Sequence, residues 1–548
     1  MRIKGLLFCC FFLLVTGFAL KVFRDQVARP AVELPPRIVL RPEVRNEVRI
    51  VPHVFRREPE RPEEFEPEVV PGRTAPPPAD IIGTLSLHPG AGTYSGPISV
   101  RAEPAAPVAL TVRYTTDGRE PTADSPLWNE PLRLDRSTVI RAAGFRSDVR
   151  STPVAAAGYF IGTPDGLPVL SIAMEPRDFE EVHMETHARG KASERFAHLD
   201  VFDAEGRATA STGFGLRLHG GAGRRGGIHT KKSYKACFRS TFGDGKLRCS
   251  LIPGAGVKEF DSLVLRANYN DRFRPGRGDY NRRAVYIRDE VIRALHRDMG
   301  SVSSAGAWCF LYVNMEPKGL YNVVERLDDD FLGQHLGGNG WDVVKTGEQV
   351  VCGTGDEWDR LRDFVYRSEL SRDEAYRHAG RLVDLENFTA YVLLQLWAQN
   401  EDWPHNNWCA ARPRKKDGRW IFLSWDTEWG LGLNPGGFQA ASFDALIHGR
   451  RGGVIRDLFQ ALLASETYRA YLRKQIDGHL AGALRPERVL QHIEREARII
   501  RPFMEAELAT FTDGFDLSDW ERNLDAVRRF ARGRGEFFRE LALEWLRG

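Results

Sequence analysis

The 548 residues hold 77 Lys and Arg against 74 Asp and Glu, a formal net charge of +3, and 42% of them are hydrophobic. That length allows two or three domains with a substantial core, and a charge balance this close to neutral gives no electrostatic case for nucleic-acid binding. Seven cysteines without a C-x-x-C pair indicate neither a zinc site nor a dense disulfide framework; Cys237, Cys249, Cys309, Cys352 and Cys409 leave room for one disulfide in an oxidising compartment.

Arg2 and Lys4 precede an apolar run from Gly5 to Leu20, which Lys21 closes. This pattern predicts a signal peptide or uncleaved N-terminal anchor over residues 1–25, with Gly17-Phe18-Ala19 offering a cleavage site after Ala19. The run is short for a full membrane span. The expected location is therefore outside the cytosol: periplasmic, cell-surface or secreted, with membrane contact only through this segment. Residues 26–82 are rich in Pro, Arg and Glu, as in EPERPEEFEPEVVPG. Such a composition buries too little surface to fold and predicts an extended, disordered spacer.

Residues 83–162 predict a small β domain. Short alternating strands (Ile98 to Ala102, Thr111 to Thr115, Thr138 to Ala143) are separated by turn signals such as Asp117-Gly118. The run Tyr-Thr-Thr-Asp-Gly-x-x-Pro-Thr, residues 114–122, resembles the β-sandwich module at the C-terminus of chitobiases (GH29D-like). The resemblance implies a rigid spacer, with glycan or cell-wall contact as a further role by analogy.

From Leu167 the pattern changes. Strands are expected at Leu167–Ala173, Phe196–Phe202 and Phe214–His219, followed by the Gly-rich turn 220–227 and a strand Lys231–Arg239. A Gly-rich turn between strands can lay backbone N–H groups and an ammonium against phosphates, and it can equally be a plain hairpin tip. Lys232 and Lys235 lie on opposite faces of such a strand, so only one of them can face a nucleotide. Asp261–Asn268 reads as a strand and Asn281–Met299 as a helix, in which Arg288 can pair with a carboxylate or a phosphate. Ala307–Val313 and Gly319–Glu325 form a hairpin with its turn near Pro317-Lys318-Gly319, and Trp341–Lys345 is a further strand.

The stretch from Asp384 to Gly432 is the most informative. Asp384 can cap a helix from Leu385 to about Gln399 that is apolar nearly all round and so is expected to be buried. Strands Asn407–Arg412 and Arg419–Trp425 flank an Asp417-Gly418 turn. Asp402 and Asn407 lie five apart on the loop, and Asp426 follows the second strand. Such a set suits phosphoryl transfer: a carboxylate to accept a hydroxyl proton, and hard oxygens for Mg²⁺. It also suits Asx turns and a strand-end cap. Beyond Leu433, helices are expected at Val454–Leu463, Glu466–Leu480, Glu487–Leu508 and Trp520–Trp545.

Asn400-x-Asp402 with Asn407, then a hairpin and the Trp425-Asp426 pair, resembles the core of the spore-coat protein H (CotH) kinase family. The Gly-Arg turn with Lys-Ser-Tyr, the segment YIRDEVIRALHRDMG, and Gly319, Tyr321 and Glu325 match its other elements. The resemblance implies an α+β fold over 163–548: an atypical protein-kinase-like core at 167–435 with a helical lobe at 436–548, behind the all-β sandwich. It implies ATP and Mg²⁺ or Mn²⁺ as cofactors and a Ser/Thr acceptor on an exported or envelope protein. Asp402 is then the base, Lys232 (or else Lys235) the phosphate lysine and Glu325 its orienting partner. Asn407, Asp426 and Glu428 are the metal candidates. Arg217, Arg288 and Lys345 are further nucleotide contacts. Three alternatives stay open: a non-catalytic surface scaffold binding glycans or partners, transfer of AMP, and glycan hydrolysis by Asp402 and Asp426.

Overall fold

The computed structural model describes residues 81–163, 166–227, 230–274, 279–338, 340–367, 372–433, 437–439 and 453–547. The expected leader and all but the end of the spacer lie outside the described residues, as does the boundary near 435. Among the described residues no helix is long and apolar enough to cross a membrane, and all five cysteines are free thiols.

The predicted β domain is a sandwich of two sheets. β1 (Thr84–His88), β3 (Ile98–Ala105) and β5 (Leu132–Leu134) form one, in the order β1-β3-β5. β2 (Gly92–Tyr94), β4 (Thr111–Thr115), β6 (Thr138–Arg146), β7 (Val149–Arg150) and β8 (Ala155–Ile161) form the other. Inward positions such as Val100, Val112, Ile140 and Tyr159 make the core between them, as period-2 alternation requires. Gly158 N–H donates to Asp200 at 2.8 Å, and Phe160 packs edge-on against Phe202 and Tyr312; these contacts tie the sandwich to the next sheet.

That sheet is a closed seven-stranded barrel. Its strands are β9 (Val169–Ala173), β10 (Arg195–Phe202), β11 (Ala208–Leu218), β12 (Tyr234–Cys237), β15 (Ser262–Arg266), β16 (Gly306–Val313) and β17 (Glu316–Glu325). A two-stranded pair, β13 (Leu247–Arg248) and β14 (Glu259–Phe260), and helix α1 (Pro176–Met184) lie between them in sequence. Leu216, Tyr234, Ala236, Leu263 and Leu265 point into the barrel core. Alternation therefore turns Arg217, Lys235 and Arg266 outward. The β16–β17 turn falls at Asn314-Met315, both with positive φ, rather than at Pro317-Lys318-Gly319. Two left-handed residues give the turn whose twist matches the strands.

The expected helix Asn281–Met299 starts later, as α2 (Arg288–Asp298). Asp271 sets the start: its carboxylate accepts from Val285 N–H and Arg288 N–H, each at 2.9 Å, and from the Arg288 guanidinium. Tyr286 in the left-handed region breaks any earlier helical run. Helix α3 (Asp329–Leu336) leads into a four-stranded sheet ordered β19-β18-β20-β21, made of β18 (Trp341–Lys345), β19 (Gln349–Cys352), β20 (Trp408–Pro413) and β21 (Ile421–Ser424). Between β19 and β20 run α4 (Asp356–Arg367), α5 (Arg372–Leu382) and α6 (Leu385–Ala398). Asp384 caps α6 by accepting from Asn387 N–H, and every residue from Phe388 to Ala398 is buried. The end is helical as expected: α7 (Gly453–Leu463), α8 (Glu466–Ala481), α9 (Pro486–Phe511) and α10 (Leu517–Arg547). These helices share one core with α2 and α6.

Candidate active site

The loop after α6 is built from its anchors. Gln399 turns left-handed and ends the helix. Fully buried Arg534 of α10 donates to the carbonyls of Leu396 and Trp397 in the last turn of the helix and so anchors its end. Asn400 and the Trp403 indole are fixed by hydrogen bonds to Gln395 and the Tyr391 hydroxyl. On this base Asp402 accepts from Asn407 Nδ2 at 2.8 Å and from Asn406 Nδ2 at 3.2 Å, with His405 Nε2 at 3.4 Å. Asn407 Nδ2 also reaches the Asp426 carbonyl at 3.1 Å. The three predicted residues therefore meet. Asn407 and Asp426 both hold positive φ (52° and 53°), which Asn and Asp tolerate and which re-aims their side chains at the strand ends. Burial pushes the Asp402 carboxyl above its usual range, against the hydrogen bond from Asn406.

Arg266, at the end of β15, stands over this loop. Its Nη2 lies 2.7 Å from both Asp426 and Glu428, and its Nε lies 3.5 Å from Asp289. Asp289 in turn accepts from the N–H and hydroxyl of Thr427, the residue after Asp426. Glu428 has its second oxygen on Asn270 N–H at 2.6 Å. Burial pushes the Glu428 carboxyl up, against the pull of Arg266. Each of its oxygens accepts one hydrogen bond, so Glu428 anchors Arg266 and the 270 loop.

Further cations gather around His219, next to Trp425. Arg217 and Lys235 are direct cross-strand partners on the outer face of the barrel, an opposition of like charges that costs stability by itself. Lys235 makes no hydrogen bond or ion pair among the described residues. The carboxylate within its reach, Asp328, is held by Arg326 at 2.6 Å and by Phe331 N–H. Burial first, then Arg326 and Arg217, push the Lys235 ammonium down to about 8. Lys345, on β18, likewise has no such partner among the described residues, and burial lowers it too. His219 joins the two sides: its ring meets Trp425 edge-on at 6.0 Å. Burial and the charges of Arg266, Lys345, Arg217 and Lys235 hold its imidazole well below the usual range, so it is neutral.

The donor set fits a divalent ion only with help from a ligand. Among the described residues no group of three His, Cys, Asp or Glu side chains is arranged to hold a metal alone. Asn407 turns its Nδ2 toward Asp402 and the Asp426 carbonyl, and Asp426 uses Oδ1 for Arg266. Asn407 Oδ1 and Asp426 Oδ2 make no hydrogen bond among the described residues. One or two protein oxygens completed by phosphate oxygens fit Mg²⁺, which rarely takes an all-protein cage.

Three expectations are corrected. Lys232 Nζ donates to the carbonyls of His183 (2.7 Å) and Gly226 (2.9 Å), pinning α1 to the Gly-rich turn, so Lys235 and not Lys232 is available to a phosphate. Glu325 orients no lysine: its carboxylate takes Ala305 N–H at 2.8 Å and His335 Nε2 at 2.7 Å. Arg288 pairs with buried Asp271 and is structural. The sequence reading missed Arg266 and Asp289. The signal for Arg266 was an arginine at an outward position at the end of an apolar strand, which alternation alone would have flagged. The Gly-rich turn is also more than a hairpin tip: buried Arg224 donates to the carbonyls of Leu218, Thr186 and Ala188 and fixes its course.

The model of the chitobiase/beta-hexosaminidase C-terminal domain matches residues 89–156, within the sandwich. No curated protein matches the chain. The model of the CotH kinase protein family matches residues 216–538, from the end of β11 into α10, and so spans Lys235, Arg266, Asp402, Asn407 and Asp426. With more than half of its length matched and the family's loop and Trp-Asp pair brought together, the chain belongs to the CotH kinase family.

Proposed function

We propose that this protein is an ATP- and metal-dependent protein kinase that phosphorylates Ser or Thr of an exported or cell-envelope protein. The observation that carries the reading is the pair of lysines, Lys235 and Lys345, which have no hydrogen-bond or ion-pair partner among the described residues and whose charges converge with that of Arg266 on His219, packed on Trp425 beside Asp426. Buried and half-buried cations without a paired anion favour an anionic ligand, since each gains the ion pair that it lacks.

In this reading Lys235 and Lys345, with Arg217 beside them, bind the nucleotide phosphates. Asn407 Oδ1 and Asp426 hold a Mg²⁺ or Mn²⁺ ion, which supplies neutralisation of phosphate charge. Arg266 is a positioning residue that sets the Asp426 carboxylate. Asp402 orients the acceptor hydroxyl and takes its proton. The hydroxyl oxygen bonds to the γ-phosphorus, the bond from that phosphorus to the β–γ bridging oxygen breaks, and ADP leaves with that electron pair. The raised Asp402 carboxyl favours proton acceptance over a fully solvated aspartate. The sandwich holds the kinase domain off the spacer and offers a surface for glycan or cell-wall contact.

The test is transfer of label from ATP by the full chain with Mg²⁺ or Mn²⁺ and a generic basic acceptor, beside Asp426→Ala. Label from the γ position in Ser or Thr, lost in the variant, is the expected result. Label from the α position identifies AMP transfer and overturns the kinase reading. No transfer, with ATP and metal leaving the melting temperature unmoved, replaces it with a non-catalytic scaffold.

A further inference from the structure

Behind the Gly-rich turn lies a basic cavity of about 340 Å³ that plays no part in the proposed phosphoryl transfer. Arg225 and Thr230 line it from the turn, Lys231 from the start of the next strand, Arg272 and Arg274 from the loop after β15, and Asp513 from the segment after α9. Its central group is Arg272, which is 5% exposed and makes no hydrogen bond or ion pair among the described residues; its Nε is sealed from solvent without an acceptor. A guanidinium buried this deeply, with its Nε shut off from both water and an acceptor, is costly unless an acceptor arrives.

The neighbours decide the charge of that ligand. Lys231 is already answered by Glu507, with its ammonium over the Tyr321 and Phe511 rings. Arg274 lies flat on Tyr269 at 3.8 Å and donates one nitrogen to Asn281, while its Nε stays unsatisfied. Among the described residues Asp513 and Glu507 are the acidic groups facing these four cations, so two positive charges remain. Burial, with Arg274 beside it, disfavours the Arg272 cation, against the pull of Tyr286, Tyr321 and Glu507, and an anion in the cavity would stabilise it further.

We propose that this cavity is a binding site for a tetrahedral dianion of the phosphate-monoester class, gripped by Arg272 with Arg225, Arg274 and the Thr230 hydroxyl. Two unbalanced charges and planar guanidinium donors match a phosphate better than a carboxylate. Occupancy links the Gly-rich turn to the 269–274 loop, whose Asn270 N–H holds Glu428. The site does not depend on the kinase reading.

The test is calorimetric titration of the full chain carrying Lys235→Gln and Lys345→Gln, which removes the other anion-binding group, with inorganic phosphate at constant ionic strength. One phosphate is expected to bind, with affinity lowered at least tenfold by Arg272→Gln and about threefold by Arg225→Gln. Arg225 is exposed, so its variant keeps the fold and the test survives if Arg272→Gln does not. A purely structural arginine makes the opposite prediction for Arg272→Met without phosphate: the site predicts an unchanged or higher melting temperature, a structural role a lower one. Tighter binding of O-phosphoserine than of phosphate assigns the site to a phosphorylated side chain, and equal binding to the free anion. Unchanged phosphate affinity in folded Arg272→Gln or Arg225→Gln, or no binding at millimolar phosphate, overturns the proposal.

Discussion

Two charged regions lie within a few residues of each other and are built on opposite rules. Under α2 every charge is answered: Asp271 by Arg288, Asp289 by Arg293 and Arg266, Glu290 by Arg293 and Arg297. In the neighbouring group Lys235 and Lys345 have no hydrogen bond or ion pair to an anion among the described residues, Arg217 opposes Lys235, and Asp402 is held by amides. Breaking a buried pair leaves a bare charge in a poor solvent, whereas removing a charge that was never paired relieves one. The first region is therefore where substitution should cost folding, and the second where it should cost ligand binding and chemistry.

The largest effect expected is on stability, from Asp289→Ala. It strips Arg266 and Arg293 of a shared carboxylate and should cost about 3–5 kcal/mol in denaturant unfolding. Asp402→Asn should leave unfolding unchanged and lower phosphoryl transfer by about 10²–10⁴-fold, as measured by initial rates. Lys235→Gln should weaken nucleotide binding by about tenfold to a hundredfold, the worth of a charge-assisted hydrogen bond, with the melting temperature held or raised. The smallest effect is on pH dependence. The free ammonium of Lys235 titrates near 8 and a bound phosphate raises it, so nucleotide affinity is full below pH 8 and declines above it. In Lys235→Arg, whose guanidinium stays charged, that decline should vanish from a titration series.

Local chemistry carried much of this architecture. The cap at Asp384, the all-round apolar α6, the strand Trp341–Lys345 and the four terminal helices are set by residue spacing along the chain. The meeting of Asp402, Asn407 and Asp426 was legible because loop and hairpin are contiguous in sequence. What was not legible depended on partners far along the chain. Whether Lys232 or Lys235 is free turns on the carbonyls of His183 and Gly226 and on the grip of Arg326 upon Asp328. The fate of Glu325 turns on His335 and Ala305. A lone charged residue looks the same in a sequence whether it is answered or not. The late start of α2 has the same cause, since Asp271, seventeen residues before Arg288, sets it.

On this structure the unanswered lysine, and not its answered neighbour, meets the nucleotide. Thermal melting of the full chain, Lys235→Gln and Lys232→Gln, each with and without ATP and Mg²⁺, tests it most directly. Lys232→Gln should melt lower than the parent, having lost hydrogen bonds worth about 1–3 kcal/mol, yet keep the ligand-induced rise. Lys235→Gln should keep the parent's melting temperature and lose that rise. A rise abolished in Lys232→Gln and intact in Lys235→Gln would contradict it.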